Sequence, residues 1–182
     1  MKFDILRDYI EENFGLDGDI VIENGGDFSM DLYEGGGERE FVISIGMEEE
    51  ELIDPIFFCY LKDIGLNDTF YFSPAFMWAA SILHEIGHCA TLEYFTEEER
   101  VNSAALIKAL SVWYDDVWDK EEFTEEDLQR LKDSSYAYWN VPTEYIAQKY
   151  VIKTVERNPK VVWGLMSIYK KLREEINNED ND

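Results

Sequence analysis

Cations are what this chain lacks most. Its 182 residues include 16 Lys and Arg against 40 Asp and Glu, a net charge of −24. Such a surface repels nucleic-acid phosphates and anionic membranes, so both are excluded as partners. A basic partner is favoured instead. Cysteine is also scarce: Cys59 and Cys89 form no Cys-x-x-Cys pair, which excludes a disulfide framework and a zinc ribbon. Both are read as buried thiols in a reducing compartment. No long uninterrupted apolar run exists. The most apolar stretch, Pro74 to Phe95, is broken by His84, Glu85, His88 and Glu93, and charges at mid-span are costly in lipid. The first residues, Met1 to Phe14, carry acids through their apolar pattern, unlike a secretion signal. No membrane helix and a cytoplasmic location are therefore expected.

What is present points to a folded chain. Apolar residues make up 46% and aromatics 15%, too rich for disorder despite the charge. The length suits one domain. Phe3, Leu6, Ile10 and Phe14 recur at helical spacing, so residues 2–14 read as an amphipathic helix ended by Gly15. Asp19–Glu23, Asp27–Tyr33 and Glu40–Ile45 are short alternating or β-branched runs separated by glycine-rich turns. They predict a small antiparallel meander. Glu48–Glu51 reads as a solvated acidic run.

From there the chain is helical. Asp54-Pro55 opens a helix over Ile56–Ile64, and Ser73-Pro74 opens the next. Thr96-Glu97-Glu98-Glu99 forms a capping box for a helix to about Tyr114. Thr124 starts another to about Tyr138, Pro142 one that ends near Arg157, and Asn158-Pro159 the last. The expected class is α+β, one domain over 1–182: helix, sheet and connector in 1–72, a helical part in 73–176, and a polar tail in 177–182.

The chain has only two histidines, and they fall in His84-Glu85-Ile86-Gly87-His88. This is H-E-x-x-H. Four residues turn a helix by about 400°, so both imidazoles leave one face a turn apart. Both can reach one tetrahedral ion. Glu85 sits about 100° round from His84, beside the metal and free to take a proton from its water. The competing reading is two ordinary histidines packed in a core, which would need a shared polar partner.

The motif resembles that of the zincin metallopeptidases, in which the active-site helix lies beneath a small sheet whose edge strand receives the substrate peptide. That resemblance implies zinc bound by His84 and His88, with Glu85 as the general base. The metzincin continuation is missing, since Thr91 and Tyr94 occupy its glycine and histidine positions. A third ligand should then be a carboxylate from another segment. Glu144 is the choice: Glu144, Ala147, Val151 and Val155 form one stripe of the helix from Pro142, and a carboxylate on a buried face needs a partner or a metal. Small Ala147 would let the two helices approach closely. The alternative is a Glu144 that serves only its helix dipole. A glutamate ligand on a later helix is similar to the gluzincin branch, and the Glu-x-x-Ala stretch looks like that of compact bacterial and phage-type zinc peptidases. Where the thermolysin-like pattern has an aspartate, this chain has Gln148. Asp115, Asp116 and Glu121 are reserve ligands. A donor to the substrate carbonyl must come from Tyr, Arg or backbone, with Tyr136 and Tyr138 the candidates.

The expected function is zinc-dependent hydrolysis of a peptide or protein, a basic one suiting the acidic surface. Two alternatives stay open. One is an acidic interaction protein that binds a basic partner or mimics DNA. The other is a purely structural zinc.

Overall fold

The computed structural model describes residues 3–25, 28–47, 54–118 and 124–179, the side chains of 111–118 excepted. The acidic run Glu48–Glu51, the start of the second strand at Asp27 and the end of the polar tail lie outside these residues.

Helix α1 covers Asp4–Phe14 and ends on Gly15, whose φ of 51° is the left-handed conformation that closes a helix. Three strands follow: β1 (Asp19–Asn24), β2 (Ser29–Gly35) and β3 (Glu38–Ile45). Gly36 and Gly37 both have positive φ, as a two-residue turn between antiparallel strands requires. Then come α2 (Pro55–Asp63), α3 (Pro74–Thr91), a 3₁₀ turn at Leu92–Tyr94, α4 (Glu97–Trp118), α5 (Glu125–Trp139), α6 (Pro142–Arg157) and α7 (Pro159–Glu179). The class is α+β.

The sheet is not the expected antiparallel meander. Its order is β1-β3-β2, with β2 antiparallel and β1 parallel to β3. Composition explains the order. β3 buries Phe41, Val42, Ile43 and Ile45, and the most apolar strand takes the centre, where both neighbours cover it. β1 and β2 are more exposed and become the edges.

The helix starts follow local chemistry. Asp54 accepts from the backbone N–H of Ile56 and Phe57. Ser73 accepts from Phe76, and Pro74 follows where no N–H is needed. Thr124 and Asp127 cap each other's backbone reciprocally. Each cap is worth about 1 kcal/mol.

α3 is the axis of the molecule. It is buried on nearly every side, from Ala75 to Thr91, and packs against α6, α7 and the sheet. A helix apolar all round belongs in a core. The polar side chains in that surface are Ser81, His84, Glu85, His88 and Thr91. Among the described residues, no helix is long and apolar enough to cross a membrane.

Candidate metal centre

α3 holds His84 and His88 on one face, with ring centroids 4.5 Å apart and planes at 81°. α6 brings Glu144 to them from its first turn. His84 Nε2 lies 3.1 Å from Glu144 Oε2 and 3.0 Å from His88 Nε2, and His88 Nε2 lies 3.4 Å from Glu144 Oε1. These three residues can each offer one ligand atom to a common point. Glu144 is 4% exposed and His84 9%.

Protons serve this triangle badly. His84 Nε2 carries at most one hydrogen, yet faces two partners at hydrogen-bond distance. A cation serves all three ligands together. Bonds of about 2.0–2.2 Å in a tetrahedron separate neighbouring ligand atoms by about 3.3 Å, close to the 3.0 Å between the two Nε2 atoms and the 3.1 and 3.4 Å from them to the two Glu144 oxygens. The donor set of two imidazoles and a carboxylate suits zinc.

The close packing has a local cause. A Cβ on Gly87 would lie 3.0 Å from both the Cα and the carbonyl oxygen of Ala147. Two small residues therefore let α3 and α6 touch backbone to backbone, which carries Glu144 to the histidines.

Burial alone would lower the pKa of His84, but the hydrogen bond to Glu144 and the charges of Glu85 and Glu144 outweigh it and raise it. Burial alone would raise Glu144, and both histidines overcome it, holding the carboxyl well below the usual range. Glu85 is the opposite case. It is 5% exposed, and desolvation raises its pKa further than the two histidines lower it. That is the direction a general base working near neutral pH needs.

The other ring nitrogen, His84 Nδ1, is buried without a hydrogen-bond partner, and so is the Gln148 amide oxygen. The two side chains interact. Gln148, one turn after Glu144, thus stands beside the His84 ring with an unpartnered acceptor.

The cluster opens on a cavity of about 400 Å³. Phe28, Ser29 and Met30 line it at the start of edge strand β2, and Arg100, Ala104 and Ile107 line it from α4. A second cavity of about 200 Å³ shares His84, Glu85 and Tyr138.

Tyr138 thus reaches the site, and Tyr136 does not. The Tyr136 hydroxyl donates to Asp63 Oδ2 at 2.7 Å, and its ring packs edge-on against Tyr60. Cys89 is buried, its thiol pushed up to about 12 by desolvation and then by Glu85, and it does not join the cluster. Cys59 is exposed, contrary to expectation, because it lies on the outer side of α2. The side chains of Asp115 and Asp116, and all of Glu121, lie outside the described residues. The sequence reading missed Arg100 and the supporting position of Gln148. The Arg100-Ala104-Ile107 spacing was the available signal for the first.

Compared with protein-family models, with curated proteins and with solved structures, the chain gives no match.

Proposed function

We propose that this chain is a zinc-dependent peptidase, with His84, His88 and Glu144 as the metal ligands and Glu85 as the general base. One observation carries the reading. Two imidazole nitrogens 3.0 Å apart each face an oxygen of the Glu144 carboxylate, at 3.1 and 3.4 Å, beside a buried glutamate and an open cavity.

Zinc, when bound, supplies a Lewis acid that acidifies a water and polarises a carbonyl. The chain's own residues do the rest. The Glu85 carboxylate accepts the proton of the attacking water and returns it to the leaving amine. Its burial raises its basicity, the direction the first step needs. Tyr138, in the cavity wall, is the candidate donor to the carbonyl oxygen. The outer edge of β2, which pairs with no strand among the described residues, begins in the cavity wall and can pair with an extended peptide, which leaves the scissile bond over α3. The acidic surface favours a basic substrate in long-range approach. The free cysteines Cys59 and Cys89 support a cytoplasmic setting.

Among the described residues no fourth His, Cys, Asp or Glu joins the cluster, and the cluster faces a cavity. Both features favour a catalytic over a structural zinc, which is closed by four protein ligands. Elemental analysis should find one zinc per chain, lost in His88→Ala. Glu85→Gln should keep the metal and lose hydrolysis of a peptide library by about a hundredfold or more. Full hydrolysis by that variant, or a metal-free wild type after zinc exposure, would refute the proposal.

A further inference from the structure

Among the described residues, the wall of the cavity over His84 and His88 contains one cation, Arg100. Arg100, Ala104 and Ile107 recur at i, i+4 and i+7 of α4, so one face of that helix forms this wall. Arg100 is partly buried. Its Nη1 donates to the carbonyl of Leu92 at 3.4 Å, which ties the guanidinium to the end of α3, one turn beyond His88.

Among the described residues, this guanidinium makes no other hydrogen bond or ion pair. Arg7, Arg39 and Arg130 each hold at least one carboxylate by an ion pair. Arg100 holds none among the described residues, in a chain where carboxylates outnumber cations 40 to 16. The glutamates just before it do not turn to it. Glu99 closes the capping box, its Oε2 accepting from Thr96 N and Oγ1, and Glu97 and Glu98 are exposed. A planar fork of donors in a concave wall matches a carboxylate, which it can bind bidentately.

We infer that Arg100 binds a carboxylate of the substrate, so that the cavity selects peptides placing an acidic side chain or a free C-terminus there. This deepens the peptidase reading and rests on it for the peptide nature of the ligand. Long-range attraction of a basic peptide and local capture of one carboxylate are separate requirements, and a single peptide can meet both.

The test uses full-length, zinc-loaded Glu85→Gln protein, which permits binding without turnover. Four fluorescent peptides share one sequence and differ in a central Glu or Gln and in a free or amidated C-terminus. At least one carboxylate-bearing peptide should bind about tenfold more tightly than the neutral one. Arg100→Gln should erase that difference, and Arg100→Lys should restore part of it. The two carboxylate positions distinguish a side-chain site from a C-terminal one. Equal binding of all four peptides, binding of none, or equal weakening of all four by Arg100→Gln would overturn the inference. The last result would instead assign Arg100 to the peptide carbonyl. The same peptides offered to wild-type protein separate the two claims. Arg100-dependent binding without cleavage sinks the peptidase and leaves carboxylate capture standing. Cleavage without carboxylate preference does the reverse.

Discussion

His84 has two ring nitrogens with different tasks. Nε2 faces Glu144 and His88. When Nε2 holds a metal, Nδ1 must carry the proton, and a buried N–H needs an acceptor. The Gln148 amide oxygen, itself without a hydrogen-bond partner and beside His84, is the acceptor available to it, a weaker one than a carboxylate. Gln148→Leu should therefore weaken zinc binding about 10- to 100-fold, as read by competition with a chelating dye. Gln148→Glu should bind at least as tightly as wild type. Unchanged affinity in the leucine variant would remove Gln148 from the site. The position was visible in the sequence as a departure from the thermolysin-like pattern. Its contact with His84 was not, because the residues lie 64 positions apart and no local rule joins them.

At the scale of elements, the seam between α3 and α6 decides whether the site exists. Gly87 meets the Ala147 backbone, which cannot swing aside as a side-chain tip would. Gly87→Ala should push the helices apart and cost about 1–3 kcal/mol, measured by urea denaturation. It should also weaken zinc binding, because Glu144 rides on the displaced helix. A variant with wild-type zinc affinity would show that the seam is not what positions Glu144. The helix boundaries were most legible where the start carries its own cap, as at Ser73-Pro74 and Thr124. Strand pairing was less so. A hairpin with two glycines declares its partner, and β2 and β3 pair as the turn implies. β1 has a glycine-rich turn after it too, yet it crosses to the far side of β3, since covering the apolar central strand outweighs pairing with its neighbour in sequence.

Across the whole molecule, the dominant electrostatic fact is a charge of −24. Folding concentrates that charge, so self-repulsion opposes the compact state. Arg39 shows how local relief is arranged. It stands within ion-pair distance of Asp17, Glu34 and Glu93, binding the sheet to the turn after α3. Such exposed pairs are each worth at most about 1 kcal/mol. Salt should therefore stabilise the protein: raising NaCl from about 10 to 150 mM should lift Tm by a few degrees, because screened repulsion outweighs the weakened surface pairs. A fall in Tm by calorimetry would show that the ion pairs dominate.

From the sequence alone came the elements, the α+β class and the two imidazoles with Glu85 between them, since spacing of four on a helix is a local property. Glu144 stood out there as a carboxylate on an apolar stripe, with service to its helix dipole as the alternative. Only the packed chain brings Glu144 within 3.1 Å of His84, by setting Gly87 on Ala147. Only it separated Tyr138 from Tyr136 and turned Arg100 to the cavity. Contacts between residues distant in sequence depend on how closely helices can approach, and that is a property of the assembled core.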